Sequence, residues 1–161
     1  MTIPDELIAV ILANWPVARL GTLSKSLTPH LVPIVFVQHD DALWSPIDGK
    51  PKSPGEPARV RHLRACPAAS LLLDHFDADW TQLWWLRLDG LAEIVEGSDA
   101  ASAGRIEPVA AALLRKYPQY GRVPLFSDQP VLLRISPIKT ISWCAGADAI
   151  VTLERICRLL P

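Results

Sequence analysis

The sequence predicts a mainly β fold with peripheral helices (α+β), a small barrel folded as one domain of 161 residues. Three observations carry this expectation. Short apolar or β-branched runs recur between turn signals. Only a few stretches have helical spacing, which suits a small barrel better than a parallel α/β sheet. Half of the residues are hydrophobic against 20% charged, the balance of a well-packed chain.

In chain order, residues 1–15 form an N-terminal helix, 17–144 the barrel with its helices, and 147–161 a helical tail. Pro4 to Asn14 has proline in the first turn, acids at Asp5 and Glu6, and Leu7, Ile8, Ile11 and Leu12 on one face. Arg19 to Leu23 is the first strand, Ser24 to Pro29 a turn, and His30 to Val37 an antiparallel return. His39, Asp40 and Asp41 make the next turn before a short strand, Leu43 to Ser45. Pro46 to Pro57 holds four prolines, two glycines and two lysines and reads as a ligand loop. Ala58 to Cys66 is helical, with Val60 and Leu63 on one side and Arg59, Arg61 and Arg64 largely on the other.

Ser70 to Asp74 is an apolar strand, Asp74 to Thr81 an acidic and aromatic connection, and Leu83 to Val95 a long strand bent at Gly90. Ala100 to Tyr117 is a helix with a possible interruption at Pro108, stopped by Pro118. Val131 to Ser136 and Ile138 to Trp143 are two strands flanking Pro137. Ala149 to Leu160 is an amphipathic tail helix with Ile150, Leu153, Ile156, Cys157 and Leu160 inward.

A net charge of −1 offers no global field for nucleic acid or anionic membrane, so phosphate recognition must be local. No apolar run reaches the roughly 18 residues of a spanning helix, and Met1 to Asn14 lacks the basic start of a signal peptide. A cytoplasmic location is expected. Three cysteines, Cys66, Cys144 and Cys157, without a CxxC pair argue for reduced structural thiols rather than disulfides or zinc. No GxSxG, HExxH, GxxxxGK[ST] or GxGxxG motif occurs, which leaves serine hydrolase, zincin, P-loop and Rossmann readings without support.

Lys50 and Lys52 lie two apart in an irregular loop, so both ammonium groups can converge on one phosphate, with Arg61 or Arg64 added from the following helix. The alternative is two solvated surface lysines. Among six tryptophans, Trp44, Trp80, Trp84, Trp85 and Trp143 can wall a flat ring or fill the core. Trp84 and Trp85 face opposite ways on a strand. Trp44 and Trp80 are assigned to cofactor or substrate, Trp85 to packing. Asp74, His75, Asp77 and Asp79 match no metal-site spacing, and Asp79 is expected to cap nearby backbone. His30, at a strand start, either orients a ligand or is a polar edge residue.

The runs HLVPIVFV, WSPIDGKPK, LLLDHFDADWTQLWWLRLDGLAEIVE and KYPQY occur in that order between about Ala18 and Cys144. Together they resemble the deazaflavin (coenzyme F420) dependent branch of the pyridoxamine-phosphate-oxidase-like, FMN-binding split barrels. The resemblance implies a split β-barrel of the FMN-binding-protein-like kind and a homodimer, with a cofactor in each of two clefts between subunits. It carries Pro33, Ile34 and Val35 over as backbone and wall, Trp44 and Ser45 as neighbours of the ring and its polyol, and Lys50 and Lys52 as the phosphate lysines. It departs where SPGEP replaces a more basic, helix-starting stretch, and in the tail after Cys144.

The implied activity is hydride transfer from F420 to a small unsaturated or quinone-like molecule. An FMN-dependent oxidase or reductase and a non-catalytic flavin or F420 binder are the alternatives. Since such cofactors carry their own electron chemistry, no catalytic residue is assigned.

Overall fold

The chain runs through α1 (Asp5–Asn14), β1 (Ala18–Leu23), β2 (Pro29–Ile34), β3 (Val37–His39), β4 (Ala42–Pro46), α2 (Ala58–Ala65), β5 (Ala68–His75), β6 (Trp84–Glu96), α3 (Ala100–Lys116), β7 (Val131–Cys144) and α4 (Ala147–Leu159). This computed structural model describes residues 1–48 and 55–160, so Lys50 and Lys52 lie outside the described residues. The strands form one sheet in the order β2-β1-β5-β6-β7-β4-β3, with every neighbouring pair antiparallel.

The two long strands curve this sheet into an open barrel. Residues 84–91 of β6 take β5 as their second neighbour, whereas residues 132–135 of β7 take β4. One ribbon therefore serves both halves. The bend falls where Gly90 pairs with Pro137 and Asp89 with Lys139, leaving Ile138 as the extra residue of a bulge. Pro137 has no N–H to give the ladder, and a bulge is where that costs least. The two strands expected around Pro137 are accordingly one.

A second correction concerns the return strand. It stops at Ile34 and resumes as β3 at Val37, because the Tyr117 hydroxyl takes the place of a ladder partner. Phe36 N–H donates to that hydroxyl at 3.0 Å, and the hydroxyl lies 2.7 Å from the Phe36 carbonyl oxygen. Third, Pro108 does not interrupt α3, which runs unbroken for 17 residues. Its start is capped by Asp99, which accepts from the Ser102 N–H at 2.8 Å, and Ile106, Val109 and Leu113 bury its inner face. The expected Asp40–Asp41 turn is present, with Asp40 in the left-handed region at φ +50°, which a short polar side chain tolerates.

Two apolar clusters hold the fold. The larger joins Leu7 and Ile11 of α1, Leu20, Leu71, Leu73 and Leu86 of the sheet, and Leu153 of α4. Each fully buried leucine among them contributes about 1.5–3 kcal/mol of transfer free energy. The smaller packs Val109 and Leu113 of α3 on Val37, Trp44 and Leu132. Trp84, 1% exposed, sits in the larger cluster edge-to-face with Trp15 at 4.7 Å, while half-buried Trp85 faces the other way, in register with Trp143. No helix among the described residues is long and apolar enough to cross a membrane.

Candidate functional site

Strands β1, β2, β5 and β6 share a face that sinks into an open cleft of about 560 Å³, bounded on one side by Ile138 and Lys139 of the bulge. Its walls are apolar. Leu31, Leu91 and Ile138 remain 72%, 50% and 73% exposed, which is large apolar surface for a chain to leave in water.

Polar groups stand on opposite sides of this cleft. On the β6 side, Asp89 accepts hydrogen bonds from Ser70 Oγ at 2.6 Å and Arg87 Nε at 3.2 Å. The Ser70 hydrogen bond is the largest influence holding the Asp89 carboxyl below its ordinary range; burial opposes it, and Arg87 and Lys139 assist. The group is a fixed carboxylate near neutrality. On the β2 side, His30 crosses His62 of α2 edge-to-face at 5.1 Å. Nδ1 of His62 meets Thr22 Oγ1 at 3.1 Å, while Nδ1 of His30 is shielded from water and has no partner among the described residues.

Arg59 extends this polar side toward the loop before α2. It precedes His62 by three residues, so helical spacing puts the two on one face. Its guanidinium is half-buried and its Nε has no partner among the described residues. Burial pulls its pKa down, with the Asp48 carboxylate working the other way. A desolvated cation one helical turn from His62 is poised for an anion that brings its own charge. Sequence spacing sets all three arginines of α2 largely opposite Val60 and Leu63 and offers Arg61 or Arg64 to the phosphate; the structure leaves those two exposed and half-buries Arg59.

The other expected residues divide. His30 and Leu31 line the cleft, and Pro33 is exposed on the same face of β2. Ile34 turns its side chain into the larger cluster and Val35 packs against the smaller one, so Ile34, at the end of the edge strand β2, and Val35, just past it, have only backbone to offer a ligand. Trp44 lies outside the cleft. It is 4% exposed under α3, donates from Nε1 to the His39 carbonyl at 3.2 Å, and has the guanidinium groups of Arg105 and Arg134 at 5.7 and 5.8 Å from its ring. Ser45 is buried at 1% exposure, and its Oγ has no partner among the described residues.

Arg64 is taken up by carboxylates rather than presented to the cleft: it pairs with Glu96 and, at 2.9 Å, with Glu56. Trp80 is 78% exposed on a separate shallow pocket with Ala145, Gly146 and Asp148. Asp79 caps its 3₁₀ turn, accepting from the Thr81 N–H at 3.0 Å, as expected.

A flat ligand that carries a phosphate fits this arrangement of apolar walls, a shielded imidazole nitrogen and a half-buried guanidinium. The comparisons agree in kind. Residues 4–144 match the pyridoxamine 5′-phosphate oxidase family, and the chain belongs to it. No curated protein sequence matches. Among solved structures, a conserved hypothetical protein of Mycobacterium tuberculosis, Rv2991, is 22% identical with a TM-score of 0.65, over 89% of this chain and 87% of that one. The heme storage protein HutZ of Vibrio cholerae is 17% identical with a TM-score of 0.65, over 89% and 95%. A FAD-binding protein of Mesorhizobium loti is 20% identical with a TM-score of 0.62, over 88% and 93%. The fold is the split barrel of this flavin-binding superfamily.

Proposed function

We propose that this chain is a cytoplasmic, homodimeric oxidoreductase that binds coenzyme F420 and serves hydride transfer to a small unsaturated or quinone-like molecule, with FMN as the alternative cofactor. The carrying observation is the half-buried Arg59 guanidinium, its Nε without a partner among the described residues, in the helix that follows the segment with Lys50 and Lys52. In this reading Arg59, Lys50 and Lys52 hold the cofactor phosphate, and charge-assisted hydrogen bonds make that contact strong. His30 Nδ1 meets a polar atom of the cofactor, and the β2 edge from Pro33 to Val35 runs beside it. Leu31, Leu91 and Ile138 exclude water once a second chain covers the cleft. Hydride donation is what a reduced deazaflavin supplies when bound; the chain orients it and keeps the site dry. The four runs HLVPIVFV, WSPIDGKPK, LLLDHFDADWTQLWWLRLDGLAEIVE and KYPQY together support the deazaflavin branch, and family membership supports the flavin class as a whole.

The test is a titration of the purified chain with F420 and with FMN, read by tryptophan quenching. Tight binding of F420 alone supports the leading reading. Preference for FMN moves the protein to an FMN-dependent oxidase or reductase, and binding of neither sinks the cofactor assignment.

A further inference from the structure

The KYPQY segment is not part of the cleft lining, yet its two tyrosines reach Phe36 and Asp48. The Tyr117 hydroxyl accepts from the Phe36 N–H at 3.0 Å and sits 2.7 Å from the Phe36 carbonyl and 3.0 Å from that of Pro16. Phe36 follows directly on Val35. Three residues beyond Tyr117, the Tyr120 hydroxyl donates to Asp48 Oδ2 at 3.3 Å, and Asp48 directly precedes the 49–54 segment with Lys50 and Lys52. The two rings meet edge-to-face at 6.2 Å, and both are buried, at 5% and 8% exposure. Lys116 closes the group, its ammonium 4.0 Å from the centre of the Phe36 ring.

We propose that Tyr117 and Tyr120 are positioning residues that hold Phe36, which follows the Pro33–Val35 stretch, and Asp48 at a fixed separation. The inference rests on the cofactor reading above for its consequence, though not for its geometry. A hydroxyl that takes both hydrogen-bonding groups of Phe36 fixes where β2 ends. That in turn fixes the backbone presented at the sheet edge. A phenol donating to Asp48 holds the chain at residue 48. Because Tyr117 caps the 3₁₀ turn Pro118–Gly121 that contains Tyr120, and the two rings pack on each other, the two anchors move together. A ligand that spans ring site and phosphate site needs that spacing, since a displacement of about 1 Å costs as much as 10²-fold in well-oriented sites.

The test compares Tyr117→Phe and Tyr120→Phe with Leu153→Ala, a core truncation in α4 that destabilises without touching either anchor. Affinity for F420 and for FMN, melting temperature and residue-level amide exchange are measured on the full chain. The expected result is an affinity loss of about tenfold or more in each tyrosine variant, out of proportion to its melting temperature when scaled by Leu153→Ala. Faster exchange is expected at residues 35–37 for Tyr117→Phe and at 47–48 for Tyr120→Phe. Affinity that merely tracks melting temperature across the three variants, or stays unchanged, overturns the proposal. Should the wild-type chain bind neither cofactor, the cofactor reading falls by itself, and exchange then decides: local loss confined to those segments supports the coupling, and unchanged exchange overturns it.

Discussion

Gly90 lies opposite Pro137 across the β6–β7 ladder, so close that a Cβ on residue 90 would collide with the carbonyl oxygen of Ser136. The contact is backbone against side chain, and neither can step aside without opening the bulge. Gly90→Ala is therefore expected to destabilise by about 1–3 kcal/mol, lowering the urea midpoint, whereas the same change at Gly104, which has open space around it, is expected to be neutral or stabilising. Equal midpoints for the two variants would remove the steric account of the bend.

Lys116 gives a pH dependence with a defined sign. Burial lowers its pKa from 10.5 to about 8, while the Phe36 ring face and the Leu12 carbonyl at 3.2 Å offset part of the cost of the buried charge. Between those values the unfolded chain holds the proton and the folded chain does not, so stability rises with pH through this window. The gain is on the order of 1–3 kcal/mol in full. The buried thiols of Cys144 and Cys157, whose pKa values burial raises, work in the opposite direction once unfolded thiols ionise. The clean interval is thus about pH 8 to 9. Chemical denaturation across it should show a rise that Lys116→Met abolishes.

Arg59 separates a binding residue from a structural one. If its half-buried charge is reserved for a phosphate, Arg59→Leu leaves the apo chain as stable as before or more so, since a desolvated cation is removed, while cofactor affinity falls. Replacing Lys50 and Lys52 together by alanine is expected to weaken binding by about 2–4 kcal/mol through lost charge-assisted contacts. Loss of stability with unchanged affinity in Arg59→Leu would assign the residue to Asp48 instead.

Most of the architecture was legible because local patterning sets it. The apolar spacing of Leu7, Ile11 and Leu12, the turn chemistry of Asp40–Asp41 and the bend at Gly90 all depend on neighbours in the chain. What the pattern missed depends on distant partners. The break after Ile34 is made by a hydroxyl 81 residues away, and the continuity of β7 through Pro137 needs the missing side chain at Gly90. At the candidate site, His30 and Leu31 were legible as strand residues beside a turn. The burial of Trp44 under α3 was not legible, because aromatic character cannot tell a cleft wall from a core. The ion pairs of Arg64 were not legible, because Glu56 and Glu96 come from a loop and a strand that spacing does not connect.

The last expectation concerns assembly. Leu31, Leu91 and Ile138 stand exposed around a cleft whose polar groups face each other across an open mouth, and a flat ligand there would keep one face in water unless another surface covers it. A second copy of the chain is the cover that the split-barrel resemblance implies, so light scattering at micromolar concentration should give a dimeric mass. Ile138 is the bulged residue and 73% exposed, so Ile138→Asp leaves the fold intact while placing a charge where an apolar interface would form. The variant is expected to be monomeric and to bind cofactor weakly, with an unchanged melting temperature at low concentration. A wild-type chain that is already monomeric would remove the basis for a cleft closed between two subunits.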